Sequence, residues 1–131
     1  MHFHHPAENI EFEIPDSWWY AAGAHNFTPS ISAFAASSDA NWPTVLVPLA
    51  EVSAPRRDPG ITGLNEERTI SILRAFVTGI VLPPLEGHRP PSSAPNMLAV
   101  RDGFHRYFAS IAVGFTMLPV SIRPYFDFNA L

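Results

Sequence analysis

The sequence predicts a small α+β domain, and three observations predict it. Short runs with the composition or alternation of strands recur along the chain, at 10–15, 44–52, 80–86, 97–102 and 116–126. Among them stand two stretches with apolar residues at helical spacing, 65–79 and 104–113, with Gly79 and Gly114 placed to stop them. A chain of 131 residues, 47% of them hydrophobic, is long enough to bury one core but not two.

The elements follow in order. "MHFHH" places His2, His4 and His5 together, and reads as a frayed terminus with incidental affinity for zinc or nickel, because a structural metal site needs a defined tetrahedral set. "IEFEIP" (10–15) alternates apolar and acidic as a half-exposed strand does, and Pro15 ends it. "DSWWYAAGA" (16–24) opens with an aspartate able to cap a short helix that Gly23 stops. Trp18, Trp19 and Tyr20 in it either cover the core or offer a platform to a base or a protein partner, and covering the core is preferred because aromatic rings bury large areas. Residues 25–43 show no period and read as loop or one more short helix.

"TVLVPLAEV" (44–52) is a β-branched strand interrupted by Pro48, hence an edge strand or a bulge. "SAPRRDPGITG" (53–63) is turn chemistry carrying Arg56 and Arg57. In 65–79, Asn65 is the cap, Glu66 and Glu67 suit the positive helix end, and Ile70, Leu73, Phe76 and Val77 form the apolar face. "IVLPPLE" (80–86) reads as a short strand ending in a Pro-Pro bend, and 87–96 as a Pro/Ser loop. "MLAVRD" (97–102) is a strand that runs straight into the helix 104–113, whose expected face is Phe104, Phe108, Ile111 and Ala112. A last strand spans 116–126, with Pro119 at its start.

Composition excludes several functions. The chain has no cysteine, so disulfides and thiolate chemistry are absent. It has no lysine, which excludes a Walker-type phosphate loop and lysine Schiff-base chemistry; arginine remains as a bidentate binder of phosphate or carboxylate. A net charge of −4 disfavours nucleic-acid binding, which rests on neutralising many phosphates. Charged residues make up only 15%, so part of the surface is expected to be apolar or covered by a partner. No membrane span is expected, and without the basic-then-apolar layout of a signal peptide the expected compartment is the cytoplasm.

The chemistry concentrates at the junction 102–106. A strand passing through Asp102-Gly103 into a helix aims the first helical N–H groups at one spot, which favours a phosphate, sulfate or carboxylate. Gly103 lets the backbone approach a ligand, His105 and Arg106 add side-chain donors, and Asp102 serves as N-cap or helps hold a metal ion on the phosphates. A cation in a first helical turn is disfavoured by about 0.3–1 kcal/mol, so Arg106 calls for either a bound anion or a buried carboxylate partner. Glu51, Asp58, Glu86 and Asp102 are the candidate catalytic carboxylates, and no second motif selects one as a base.

Residues 44–123 resemble the ParB/sulfiredoxin-like domain, the N-terminal module of chromosome-partitioning ParB proteins and the whole of several small enzymes. "VLVPLAEV" followed by "PRRD" is similar to its opening strand and arginine segment, and "ERTISILRAFVTGIVLPPLE" to its helix, glycine and apolar-Pro stretch. "LAVRDGFHRYFASIAVGF" looks like its strand, Gly-x-His-Arg turn and helix, and "MLPVSI" like its closing strand. The resemblance implies a mixed sheet with flanking helices over 44–131, and a 1–43 strand-and-helix extension, without family counterpart, packed on it. It further implies a nucleoside-triphosphate site for ATP or CTP with Mg2+, in which Gly103, His105 and Arg106 hold phosphates, Arg56 or Arg57 clamps from across the cleft, and Asp102 lies near the metal.

Enzymatic members of the class make an ATPase or a small-molecule kinase the catalytic form of this reading. Phe104 stands where sulfiredoxins carry their reactive cysteine, so sulfinic-acid reduction is excluded. The alternative is a non-catalytic interaction module on the same fold, with a protein partner met through the aromatic N-terminal segment; DNA binding or nuclease activity ranks last on charge.

Overall fold

The computed structural model describes residues 1–55, 63–90 and 97–124. Two short strands, β1 (His2–His4) and β2 (Glu11–Glu13), form an antiparallel ribbon that leads into helix α1 (Asp16–Ala22). Strand β3 (Thr44–Pro48), a 3-10 turn (Leu49–Glu51) and strand β4 (Val52–Ser53) follow, then helix α2 (Glu66–Thr78). Strands β5 (Leu85–His88) and β6 (Leu98–Asp102), helix α3 (Phe104–Val113) and strand β7 (Met117–Ile122) complete the order. Among the described residues five strands build one mixed sheet in the order β3-β7-β5-β6-β4, as an α+β fold of this kind requires. The β3/β7 and β5/β6 pairs are antiparallel; β5/β7 and β4/β6 are parallel.

The run 44–52 is therefore not one interrupted strand. Pro48 and the 3-10 turn split it into β3 and β4, which occupy opposite edges of the sheet. Four strand spacings in a flat sheet put those edges about 19 Å apart, whereas the four steps from Pro48 to Val52 span at most about 14 Å. The sheet must curl to bring its edges together. The 80–86 expectation also shifts: Ile80 and Val81 are exposed, Leu82 makes an isolated bridge with Ala36, and the strand begins only after the Pro-Pro pair, at Leu85. Pro119 lies inside β7, just before pairing with β5 begins at Val120.

The helices end where the glycines stand, with Gly23, Gly79 and Gly114 all left-handed. The Asn65 side chain accepts the Arg68 N–H at 2.9 Å and so caps α2. Asp16 does not cap α1: it is the first helical residue, Pro15 takes the cap position, and the Asp16 carboxylate pairs with the terminal amine at 2.8 Å. The buried face of α3 carries Tyr107, Phe108, Ala109, Ser110 and Val113, rotated from the expected one; Phe104, Ile111 and Ala112 sit half-buried at its flanks.

Leu85, Leu98 and Leu118 from three strands meet Leu73 of α2 and Tyr107 of α3 in the core, all with 1% exposure or less. Each such aliphatic side chain contributes about 1.5–3 kcal/mol by leaving water. The N-terminal ribbon joins this core from outside. Phe12 meets the Phe108 ring at 5.0 Å, Phe3 meets Trp19 at 5.8 Å, and Arg74 of α2 donates to the Ala21 carbonyl of α1 at 3.0 Å.

The opening residues are not frayed. His5 is buried, its Nδ1 accepts the Ala7 and Glu8 N–H groups, and its Nε2 lies 2.6 Å from the Tyr107 hydroxyl. With Nδ1 occupied as acceptor, the Nε2–H donates to that hydroxyl. Burial, and after it the Glu8 carboxylate, pushes the Tyr107 phenol above its ordinary range, so it stays neutral.

Candidate functional site

Two helices begin at the same place. α2 starts after Asn65 and α3 after Gly103, and the Nε2 of His105 accepts the Asn65 N–H at 2.9 Å, tying the two starts together. Between them and the end of β6 lies a cleft of about 530 Å3, lined by Glu67, Arg68 and Ser71 of α2, Arg101 and Asp102 of β6, and Arg106 of α3. Pro55 closes one side. Each helix carries an arginine at its third position, Arg68 and Arg106, where the helix dipole disfavours a cation. An anion between them offsets both penalties at once.

Packing by itself already requires a glycine at position 103. Its φ of +121° is poorly accessible to other residues, and a Cβ there would stand 2.6 Å from Leu85 Cγ. The position that a Cβ would take faces the buried Leu85. Asp102 is not the cap of α3: it ends β6, Gly103 takes the cap position, and no side chain caps the helix. The first bond of the α3 ladder runs from the Tyr107 N–H to the Gly103 carbonyl at 2.8 Å.

Arg106 is mostly buried, with 17% of its side chain exposed, yet among the described residues its contacts are long. Its guanidinium reaches the Pro84 carbonyl at 3.4 Å and the Asp102 carboxylate, itself 72% exposed, at 3.7 Å; its Nε is buried with no hydrogen-bond partner among the described residues. The carboxylate partner beside Arg106 is thus an exposed rim residue rather than a buried acid. Arg68 and Arg101 are exposed at the same cleft. Burial, and after it the Arg101 charge, holds the His88 imidazole on β5 below its ordinary range.

The structure brings Asp102, Gly103, His105 and Arg106 together, as their adjacency required. Arg56 and Arg57 lie outside the described residues, as does Asp58. Glu86 pairs with Arg123 at 3.4 Å, and Glu51 sits in the 3-10 turn, away from the cleft lining. Sequence reasoning missed Arg68, Arg101, Glu67 and Ser71. Arg68 had a signal of the same kind as Arg106, a cation in a first helical turn. A second hollow of about 290 Å3, lined by Trp42, Glu86 and Arg123 among others, shares Asp102 with the first. Of the Trp18–Tyr20 trio, Trp19 is buried, Trp18 half-buried against the core, and Tyr20 is 66% exposed and stacked on His25.

No protein-family model matches the chain, and no curated protein is similar enough to match. Solved structures do match. The C-terminally truncated chromosome-partitioning protein ParB from Caulobacter crescentus, complexed with CTP-γ-S, is 19% identical over 64% of this chain and 46% of its own, with a TM-score of 0.51. A free serine kinase variant in complex with ADP is 19% identical over 78% of this chain and 38% of its own, with a TM-score of 0.52. A conserved hypothetical protein from Pyrococcus furiosus is 18% identical over 72% of this chain and 37% of its own, with a TM-score of 0.50. This chain spans less than half the length of each of the three. Among the described residues no helix is long and apolar enough to cross a membrane. With its curled mixed sheet, its strand-to-helix turn at Gly103 and these likenesses, the chain has the ParB/sulfiredoxin-like fold.

Proposed function

We propose that the cleft between the starts of α2 and α3 binds a nucleoside triphosphate, ATP or CTP, through its phosphates. One observation carries this reading: Arg106 is a mostly buried guanidinium in a first helical turn, with an Nε that lacks a partner among the described residues and only long contacts elsewhere. The guanidinium's contacts at 3.4 and 3.7 Å are long for a charged group, and a phosphate in the cleft is a stronger acceptor for the part of it that stays exposed. Arg68 and Arg101 supply further charge at the same cleft, and the two helix dipoles converge on it. Two proteins of this fold have been seen with nucleotides, CTP-γ-S in one and ADP in the other.

Gly103 fixes the turn, Arg106 and Arg68 grip phosphate oxygens, and His105 holds the two helix starts in register. Asp102, exposed at the rim, fits Mg2+, a hard cation that takes one or two carboxylates plus phosphate oxygens. Arg56 or Arg57, outside the described residues and next in sequence after Pro55, is the second phosphate clamp in this reading. ATP-dependent phosphotransfer or hydrolysis is the catalytic form of this reading, since such chemistry is mostly positioning and charge stabilisation. The proposal takes 44–131 as the nucleotide-binding unit and 1–43 as an extension packed on it.

A thermal-shift series with ATP, CTP, GTP and ADP, each with and without Mg2+, tests it. A ligand at 100 times its dissociation constant adds about 2.7 kcal/mol. The expected result is a magnesium-dependent shift with a triphosphate that disappears in Arg106→Ala. The second reading, a non-catalytic interaction module, is favoured by the apolar residues Val45 and Leu46, 42% and 54% exposed on the edge strand β3. It predicts no nucleotide shift, and loss of a protein partner on Leu46→Lys.

A further inference from the structure

We propose that the outer face of the N-terminal ribbon is a binding site for a first-row divalent transition-metal ion of the zinc type, held by His2, His4 and Glu11. In the β1–β2 register His4 stands directly opposite Glu11, and His2 opposite Glu13. Strand alternation puts Phe3 and Phe12 on the inner face, stacked at 5.3 Å, and leaves His2, His4, Glu11 and Glu13 on the outer one. Glu11 therefore lies across from one histidine and diagonal to the other, within reach of both.

The donor atoms already converge. His2 Nε2 is 3.2 Å from Glu11 Oε2, His4 Nδ1 is 3.2 Å from Glu11 Oε1, and one ligand atom from each of the three residues lies within 4.8 Å of the others. Two donors on one tetrahedral Zn2+, each at about 2.0–2.2 Å, sit about 3.3–3.6 Å apart. The observed separations need only small rotamer adjustments to enclose an ion. Water or Glu13 completes the fourth position.

Chemistry selects the ion. Two imidazole nitrogens and one carboxylate suit zinc, nickel and copper, whereas Mg2+ and Ca2+ want oxygen donors. The site is thus chemically separate from the carboxylate proposed for Mg2+ in the cleft. The frame beneath it is ordered: Phe3 packs on Trp19, Phe12 packs on Phe108, and the next residue, His5, is anchored on Tyr107. The histidines therefore stand on a fixed ribbon, and less conformational freedom is lost when the ion binds. A bound ion would clip β1 to β2 and hold the ribbon on the core.

Titration of the intact protein with Zn2+ by calorimetry, with histidine ring protons followed by NMR, tests the site. Expected is one Zn2+ per chain at micromolar affinity or tighter, shifting the rings of His2 and His4 and not those of His25 and His88. Glu11→Gln and His4→Ala should each weaken binding about 10-fold or more, while His25→Ala leaves it unchanged. Those side chains are exposed, and the metal-free unfolding midpoint checks that each variant is folded; Glu11→Gln, nearly isosteric, serves where His4→Ala lowers it. Binding equal in wild type and both variants, ring shifts centred on other histidines, or no binding below millimolar Zn2+ would overturn the proposal.

Discussion

The Nε2 of His105 accepts the backbone N–H of Asn65, forty residues away in sequence, at 2.9 Å, and through it the starts of two helices become one surface. The bond makes His105 a strut: its ring is buried, and the nitrogen facing Asn65 is occupied as an acceptor. The bond sets the first turn of α2, with Arg68, against the first turn of α3, with Arg106.

Removing the strut should loosen both helices. His105→Ala deletes a buried ring and strands the Asn65 N–H, and is expected to destabilise the fold by about 1–3 kcal/mol, read as a lower urea midpoint at unchanged slope. His105→Gln, whose amide oxygen can accept the same N–H, should recover part of the loss. Equal losses in the two variants would mean that packing, not the hydrogen bond, is what His105 supplies.

Arg68 separates a binding role from a structural one. It is exposed in the first turn of α2, where a cation costs about 0.3–1 kcal/mol. Arg68→Ala should therefore leave the ligand-free protein as stable as wild type or slightly more so, while weakening triphosphate binding. Chemical denaturation of the free protein, paired with a nucleotide titration, reads both effects.

Gly103 admits no side chain. Alanine there places Cβ against Leu85 and holds a non-glycine residue at φ of +121°. The sum of backbone strain and overpacking is about 2–6 kcal/mol. In a double variant with Leu85→Ala the clash is relieved and the strain is not, so the combined loss should fall short of the sum of the singles. A double-mutant cycle in urea measures the difference.

His88 gives the fold a pH dependence of definite sign. Its folded-state value lies below the ordinary 6.5, from burial first and Arg101 second. On acidification the unfolded chain takes up this proton before the folded one does, so stability is complete above about pH 6.5 and declines as pH drops through that value. Thermal midpoints between pH 7 and 5.5 should fall less steeply in His88→Gln than in wild type.

What could be read from the residues was local. Asn65, Gly79 and Gly114 marked helix ends because capping and left-handed turns involve a few neighbouring residues, and the 102–106 junction was visible for the same reason. The expectation failed where a distant partner decides. Pro48 and the turn after it send β3 and β4 to opposite edges of a curled sheet, and only the pairing with β7 and β6 fixes that. Ile80 and Val81 are β-branched and looked like a strand, but they are exposed, and the strand starts at Leu85. Arg68 and Arg101 join Arg106 only once α2, β6 and α3 are in place. His5 became a core residue because Tyr107, over a hundred positions away, offers it a hydroxyl.

Whether the cleft holds a nucleotide is read most directly by calorimetric titration of wild type and Arg106→Ala with ATP and with CTP in the presence of Mg2+. Wild type should bind one triphosphate per chain saturably, and Arg106→Ala, while still unfolding cooperatively, should bind none. Binding of equal strength in both proteins, or none in a well-folded wild type at millimolar nucleotide, would contradict it.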